Sequence, residues 1–345
     1  MREWEVYSSV FGIQWHITPR CDKNCLHCYV RDPETYKKEL ENELSQEDLV
    51  KICDRIKEFK NKYNANVSVS ITGGNPLLRK EYRNIVKRLK KEKIPITILG
   101  NVYKLDEEVD FLKYNIKEYQ LSLDGTKEFN DKVRGPGSWE ETMRGIDILK
   151  SNNIEVGIMY TVSKDNMNYI KEVYDICSEK QVNRFSFDRV VPLGNAKDMV
   201  LPSASDYKNF LYNIYLHTVS KGGSILALKD QLFKPLLNEM GLFKPKQTNK
   251  IINGCLVGVS GLSILADGTV YPCRRLPIEI GKLPEQSIEE IFFDSPELNE
   301  LREYESIAGC GECDLLPYCR GNRCVAYAQK KDYFSEDPQC WRCKE

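Results

Sequence analysis

The chain has 345 residues, of which 41% are hydrophobic, and its 50 Lys and Arg residues nearly balance 51 Asp and Glu residues. This length suits a barrel of roughly 200 residues with an extension. The net charge of −1 predicts no general attraction to nucleic acid or to an acidic membrane. Residues 1–10 contain no apolar run that suits a signal peptide, and the chain has no stretch of about 18 apolar residues. We therefore expect a cytoplasmic protein that binds neither nucleic acid nor a membrane.

Strand-like and helix-like segments alternate through the first two thirds of the chain. Helices are predicted to begin near Ser45, with Asp48 three residues on, and near Ser138, with Glu141 three residues on. The other predicted helices cover residues 81–91 and 169–180. The predicted strands are residues 11–18, 67–71, 94–99, 119–123, 154–162 and 184–188. Six strand–helix units predict an α/β fold, an open six-stranded (β/α)6 partial TIM barrel, whose site lies at the carboxyl ends of the strands.

The loop after the first strand carries three thiols, Cys21, Cys25 and Cys28. Thiolates suit zinc or an iron–sulfur cluster, but structural zinc needs four ligands and no fourth cysteine lies nearby. His27 is the weaker ligand candidate because it lies between two of these cysteines, and His16 is expected to be a satisfied core residue. Three cysteines on a four-iron cluster leave one iron open, where a substrate or cofactor can chelate.

The spacing Cys-x3-Cys-x2-Cys, with His27 before the last cysteine and Tyr29 after it, resembles the hallmark of the radical S-adenosylmethionine (SAM) superfamily. The resemblance implies that Cys21, Cys25 and Cys28 hold a [4Fe–4S] cluster, that its open iron chelates SAM, and that Tyr29 belongs to the SAM site. An electron from the cluster would cleave SAM, and the resulting 5′-deoxyadenosyl radical would remove a hydrogen from an unactivated carbon. A flavodoxin or ferredoxin is the expected type of electron donor.

Two further segments resemble SAM-binding motifs of the family. Gly73-Gly74-Asn75-Pro76 ends the second strand, where it is either a tight turn or, like the Gly-Gly-Glu-Pro of relatives, a backbone left uncovered for the SAM amino group. Asn75 replaces the usual Glu, so a carboxylate is missing there.

The fourth strand ends in Ser122-Leu123-Asp124-Gly125, and Arg134-Gly135 follows. Ser122 and Asp124 are two residues apart and are expected on the same side of the strand. The alternative is a capped strand end with Asp124 starting a turn. The resemblance implies SAM binding by Ser122, Asp124 and Arg134, and, more weakly, by Asn101 after the third strand.

After a predicted helical bridge, residues 195–254, eight of the 13 cysteines lie between residues 255 and 343. Because thiols stay reduced in the cytoplasm, this number indicates metal binding rather than disulfides. From spacing alone the eight could saturate two four-iron clusters or two to three zinc sites. They are Cys255, Cys273, Cys310, Cys313, Cys319, Cys324, Cys340 and Cys343.

Their spacing, with Gly268 before Cys273 in a predicted hairpin, resembles the SPASM extension of radical SAM enzymes. This resemblance implies two auxiliary [4Fe–4S] clusters, or three clusters in all. The first would be held by Cys255, Cys273 and Cys324, and the second by Cys310, Cys313, Cys319 and Cys340. The chain departs from the SPASM pattern in two places: the four-residue gap between Cys319 and Cys324, and the closing pair of Cys340 and Cys343. The spare Cys343 could complete the first cluster, exchange roles with Cys340, or leave the first cluster with an open iron.

The predicted domains are a radical SAM barrel at 1–194, the bridge at 195–254 and the SPASM domain at 255–345. SPASM relatives mostly modify peptides and proteins, so the resemblance implies a maturase that installs a thioether or other cross-link in a ribosomally made precursor peptide. The 20 residues before Cys21 leave no room for a leader-binding domain. Leader recognition would therefore come from a separate protein or from the barrel and bridge themselves.

Three alternatives to a peptide maturase stay open. A formylglycine-type maturase would place an Asp beside a cluster cysteine, where this chain has Arg274 after Cys273. Arg274 and Arg275 could instead attract an acidic peptide. The same layout would also serve an enzyme that modifies a tetrapyrrole side chain. From a different class of protein, a non-enzymatic zinc-binding scaffold would show zinc with little iron and no sulfide.

Overall fold

The computed structural model describes residues 10–221, 225–248 and 250–344. One ten-stranded sheet runs through it, in the order β10-β9-β8-β1-β2-β3-β4-β5-β6-β7. The strands are β1 (Phe11–Thr18), β2 (Val67–Gly73), β3 (Ile96–Leu99), β4 (Glu118–Ser122), β5 (Glu155–Val162), β6 (Arg184–Arg189), β7 (Leu226–Ala227), β8 (Gly261–Ile264), β9 (Thr269–Tyr271) and β10 (Gly281–Lys282). Strands β1 to β7 are parallel neighbours in chain order. The predicted α/β partial barrel is confirmed, with the short β7 added at its edge.

Helices cover the outer face of the parallel sheet. The second helix begins where Ser45 accepts a hydrogen bond from the Asp48 amide, and its buried face carries Leu49, Ile52 and Phe59. The helices are α1 (Pro33–Glu41), α2 (Gln46–Lys62), α3 (Tyr82–Lys91), α4 (Leu105–Leu112), α5 (Lys127–Arg134), α6 (Ser138–Ser151), α7 (Ile170–Glu179), α8 (Ala204–Ser220), α9 (Phe233–Glu239), α10 (Ile288–Asp294), α11 (Pro296–Glu300) and α12 (Arg323–Lys330). No helix in these described ranges is long and apolar enough to cross a membrane.

The cap predicted for α6 is wrong in its detail. The helix does begin at Ser138, but its N-cap is Gly137, and the Ser138 hydroxyl donates instead to Asp131 at 3.0 Å. The amide of Trp139 also donates to Asp131, at 2.8 Å, so this carboxylate binds the helix start from the preceding helix α5. Asp131, a residue outside α6, therefore takes the place of the predicted cap within the helix. The spacing of Ser138 and Glu141 cannot reveal such a partner.

The two faces of the sheet differ in chemistry. Residues at odd positions of β1 are buried against the helices. For example, the centroid of the Phe11 ring lies 4.8 Å from that of Phe59 on α2. Residues at even positions face the concave side, because side chains alternate along a strand. On that side Gln14, Ser70 and Thr97 of three neighbouring strands are only half-buried. The interior of the barrel is therefore polar and open to water.

The cysteine-rich extension continues the same sheet on its other edge. Strand β8 pairs in parallel with β1, and β9 pairs antiparallel with β8. The predicted hairpin around Gly268 is therefore confirmed. A buried ion network also ties the extension to the barrel: Arg189 at the end of β6 donates to Asp230 at 3.0 Å and to both oxygens of Asp337 at 2.6 and 2.8 Å. The extension is thus packed against the barrel rather than tethered to it.

Candidate functional site

Three thiols lie together at the carboxyl end of β1. Cys21, Cys25 and Cys28 are all half-buried. Burial raises the pKa of Cys21 to about 11, and the nearby thiols of Cys25 and Cys28 contribute to that shift. Amide and guanidinium groups approach the sulfurs, since Asn101 Nδ2 lies 3.8 Å from Cys21 Sγ and Arg134 Nη1 lies 4.0 Å from Cys25 Sγ. Three half-buried sulfurs with donors beside them form a donor set that fits an iron–sulfur cluster.

The Gly-Gly segment lets the end of β2 approach this loop. A Cβ atom at Gly74 would lie 2.0 Å from the carbonyl oxygen of Arg20, and one at Gly73 would lie 2.0 Å from that of Thr18. The amides of Gly74 and Asn75 donate to those two carbonyls, each at 2.8 Å. The sequence suggested an uncovered backbone here, but in the structure both of these amides are hydrogen-bonded. The glycines allow close packing against the cysteine loop.

Asn75, Asn101 and Asp22 form a network beside Cys21. Asn75 is fully buried; its Nδ2 donates to Asp22 Oδ1 at 3.0 Å and to Asn101 Oδ1 at 2.8 Å, while its own Oδ1 accepts from the Leu77 amide. Asn101 Nδ2 donates to the same Asp22 oxygen at 2.8 Å. Asp22 was missed by the sequence reasoning, although its position next to Cys21 was a signal. The carboxylate that position 75 lacks is present one side chain away.

Asp124 is fully buried and both of its oxygens are occupied. Oδ2 lies 2.7 Å from His27 Nε2 and accepts from Arg134 Nε at 2.6 Å, and Oδ1 accepts from the Thr161 amide at 2.8 Å. Burial alone would raise the pKa of Asp124, but Arg134 and His27 hold it well below its usual value. Asp124 thus fixes His27 and Arg134 beside Cys25, whereas Ser122 is half-buried at the strand end.

Tyr29 lies between two groups of cysteines. Its pKa is raised, chiefly by burial, and the groups that act on it electrostatically include Arg275, Arg274, Cys273 and Cys28. Within the described part of the chain its hydroxyl has no hydrogen-bond partner. The side chain therefore lies within electrostatic range of both the loop after β1 and the loop after β9.

The two arginines after Cys273 are not free surface residues. Arg274 is 3% exposed and its Nη2 donates to Glu39 on α1 at 2.6 Å, while Arg275 donates to Asp188 on β6 at 2.5 Å. The first pair anchors the extension to the barrel, and the second lies at the concave face. No local pattern predicts either carboxylate partner, because Glu39 and Asp188 lie far from these arginines along the chain.

His16 lies on the concave side of β1 and is completely buried. It was expected to be a satisfied core residue, but neither ring nitrogen has a hydrogen-bond partner among the described residues. Burial, assisted by Arg274, holds its pKa well below the usual value, so the ring is neutral. The prediction of burial was right and that of satisfied hydrogen bonds was wrong.

The cysteines of the extension fall into two groups. In the first, Cys273 and Cys324 are in hydrogen-bond contact, which lowers the pKa of Cys273 to about 6, and Cys255 is close enough to act on Cys324. In the second group, five cysteines line one pocket. They are Cys310, Cys313, Cys319, Cys340 and Cys343.

Cys343 belongs to this second group. It is in hydrogen-bond contact with Cys310 and Cys340, and this contact lowers the pKa of Cys340 to about 7. This arrangement argues against one of the three roles considered for Cys343, the completion of the first auxiliary cluster. The described residues contain no three His, Cys, Asp or Glu side chains close enough to hold a single metal ion. Thiols grouped in this way are the ligands of iron–sulfur clusters and of zinc.

Comparison with known families gives the same picture. Residues 15–177 match the radical SAM superfamily, and residues 255–314 match SPASM, described as an iron–sulfur cluster-binding domain. The chain belongs to the radical SAM superfamily and carries a SPASM domain. SAM and [4Fe–4S] clusters, including auxiliary clusters, are the cofactors of this class.

Individual relatives differ in what they act on. The chain is 26% identical to an AdoMet-dependent heme synthase of Methanosarcina barkeri over 340 residues, which is 95% of each chain. It is 25% identical to the mycofactocin maturase MftC of Mycobacterium tuberculosis over 95% of this chain and 82% of that protein. Its fold matches that of Streptococcus suis SuiB bound to the precursor peptide SuiA with a TM-score of 0.77 and 20% identity, over 97% of this chain and 76% of SuiB.

Proposed function

We propose that this protein is a radical SAM enzyme that removes hydrogen from a carbon of a tetrapyrrole side chain. The observation that carries the proposal is the extent of its similarity to the heme synthase, which spans 95% of both chains and so includes both the barrel and the cysteine-rich extension. The open, polar concave face of the sheet suits a substrate with several carboxylates. When bound, SAM and its cluster supply the organic radical that this chemistry requires.

The SAM site in this proposal lies at the carboxyl ends of β1 to β4. Asp22 accepts the SAM amino group in place of the carboxylate that Asn75 lacks, and Asp124 positions His27 and Arg134 without touching SAM itself. This assignment revises the expectation for Asp124, because both of its oxygens are already occupied. The remaining contacts are assigned to Tyr29, Gly73, Gly74, Pro76, Asn101 and Ser122.

The cluster ligands follow from the grouping of the thiols. Cys21, Cys25 and Cys28 would hold the SAM-binding cluster. Three cysteines, Cys255, Cys273 and Cys324, would hold a first auxiliary cluster with an open iron, since the spare thiol lies in the other group. The second auxiliary cluster would take four of the five cysteines around the pocket. An external donor such as a flavodoxin or ferredoxin would supply electrons.

The test uses anaerobically purified, cluster-loaded protein with SAM, a chemical reductant and Fe-coproporphyrin III, a porphyrin that carries several propionates. We expect 5′-deoxyadenosine to form faster with the porphyrin than without it, and the porphyrin to change mass. The variant in which Cys21, Cys25 and Cys28 are all Ala is the control and should yield neither product. Unchanged 5′-deoxyadenosine formation and unaltered porphyrin would overturn the proposal.

A second candidate is a maturase of a ribosomally made precursor peptide, which the similarity to the mycofactocin maturase over 95% of this chain favours. The same assay separates the two candidate functions. In it, the porphyrin is replaced by the peptide encoded by a short, Cys-rich reading frame beside the gene. Stimulation of 5′-deoxyadenosine formation by the peptide and not by the porphyrin would establish this candidate. A separate leader-binding protein would then be the expected partner.

A further inference from the structure

Arg134 is a cation directly beside one of the three thiols that follow β1. It is the last residue of α5, and its Nη1 lies 4.0 Å from Cys25 Sγ. The backbone keeps the two residues together, because the amide of Leu26, next to Cys25, donates to the carbonyl of Val133 at 2.9 Å. The Arg134 side chain is only 17% exposed, so bulk water screens its charge in part and no more.

The guanidinium of Arg134 is held in one orientation. Its Nε donates to the fully buried Asp124 carboxylate at 2.6 Å, its Nη2 lies 3.3 Å from His27 Nε2, and its Nη1 is left for Cys25. Asp124 is itself fixed, since its other oxygen accepts from the Thr161 amide at 2.8 Å. Each of the three nitrogens therefore faces a different group, and the nitrogen nearest the sulfur is not the one that binds the carboxylate.

The hydrogen-bond donors at the neighbouring thiol carry no such charge. Cys21 Sγ accepts from the Lys23 amide at 3.5 Å and lies 3.8 Å from Asn101 Nδ2, and both of these donors are neutral. The ammonium of Lys23 is directed elsewhere, to Glu141 at 2.6 Å. Among the residues that the structure describes, Arg134 is thus the one side-chain cation within hydrogen-bond distance of any of the three sulfurs.

We propose that Arg134 raises the reduction potential of the SAM-binding cluster through its contact with the Cys25 sulfur, with Asp124 and His27 as positioning residues. Reduction transfers one electron from the external donor to the cluster and adds one negative charge. A fixed cation beside a ligand sulfur stabilises the reduced form, because cluster potentials respond to local charge and to hydrogen bonds on the sulfurs. The inference rests on the cluster ligands proposed above and not on the tetrapyrrole substrate. It goes beyond SAM binding, which is the role that the resemblance implies for Arg134.

The test is an anaerobic potentiometric titration of cluster-loaded protein without SAM, followed by electron paramagnetic resonance. The signal of the SAM-binding cluster is the one that disappears when Cys21, Cys25 and Cys28 are all replaced by Ala. We expect Arg134→Met to lower the ratio of reduced to oxidised cluster at a fixed potential about tenfold, which is a downward shift of about 59 mV for one electron. Arg134→Lys keeps the positive charge and should retain most of the wild-type potential.

The sign of the shift separates a charge effect from a loss of structure. A loosened site would admit water, which stabilises the more highly charged reduced cluster and shifts the potential upwards. A lowered potential therefore supports the inference, whereas an unchanged or raised potential overturns it. Arg144→Met is the matched control, because Arg144 is also paired with an aspartate but is 56% exposed, and its loss should leave the potential unchanged. If Arg134→Met retains fewer irons than the wild type, Arg134→Gln, which keeps an amide donor without the charge, is titrated with the same expectation.

SAM binding, measured in parallel by equilibrium dialysis, tests the alternative role of Arg134. If Arg134→Met weakens SAM binding and leaves the potential without SAM unchanged, the arginine only binds SAM, and the inference is wrong while the proposed function stands. If the triple replacement of Cys21, Cys25 and Cys28 removes no signal from the spectrum, the proposed cluster ligands are wrong and the inference fails with them.

Discussion

At the scale of single residues, the main feature of the proposed SAM site is the carboxylate of Asp22. Position 75 carries an amide, and Asp22 accepts hydrogen bonds from Asn75 at 3.0 Å and from Asn101 at 2.8 Å. The two amides hold the carboxylate beside Cys21. The network joins the loop after β1, which carries Asp22, to the segments after β2 and β3, which carry Asn75 and Asn101.

We expect Asp22→Asn to weaken SAM binding about tenfold or more, because an ammonium would lose its charged acceptor. Equilibrium dialysis of labelled SAM against cluster-loaded protein measures the effect, with iron content verifying that the cluster is retained. Asn75→Glu in the Asp22→Asn background should restore the affinity. Asp106→Asn, which removes a carboxylate paired with Arg144 at the exposed surface, is the control. Equal SAM affinity in Asp22→Asn and the wild type would show that Asp22 only orients Asn75.

At the scale of elements, one buried arginine connects three parts of the fold. Arg189 closes β6, Asp230 precedes α9, and Asp337 lies in the extension beyond α12. All three side chains are completely buried, and the Tyr207 hydroxyl donates to Asp230 at 2.8 Å. The position of the extension over the barrel therefore depends on a charge network.

We expect Arg189→Met to lower the free energy of unfolding by about 3–5 kcal/mol, because two buried carboxylates lose their partner. Anaerobic urea unfolding followed by tryptophan fluorescence measures the change. Arg144→Met breaks an ion pair whose side chains are 56% and 58% exposed and should cost less than about 1 kcal/mol. Similar losses in the two variants would mean that the network contributes little.

At the scale of the whole molecule, the thiols predict the metal content. We expect about 12 irons per chain in anaerobically purified protein and about eight when Cys21, Cys25 and Cys28 are all replaced by Ala, as each four-iron cluster needs its own ligands. Cys324→Ser should lose the first auxiliary cluster, whereas Cys343→Ser should keep its iron, because five cysteines line the second pocket. Iron, sulfide and zinc analyses make the measurement. Zinc with little iron and no sulfide would support a zinc-binding scaffold instead.

Local patterns of the sequence were enough for the fold class and for the family. The predicted strand at residues 11–18 coincides with β1, since an apolar period of two is fixed by neighbours along the chain. Short helices such as α4 and α5 were not predicted, because they have few buried residues to form a pattern. The spacing of Cys21, Cys25 and Cys28 predicted the cofactor class for the same reason, as these three thiols recur at short intervals.

Contacts between distant parts of the chain were decided only by the tertiary structure. The partners of Asp124, Arg274 and Arg275 come from other strands, helices or loops, and the grouping of Cys343 with Cys310 depends on how the last turn folds back. The sequence by itself determined the fold class, the family and the kinds of ligand, which are local properties; burial and pairing depend on packing, so the structure alone decided which side chains remain available for a substrate.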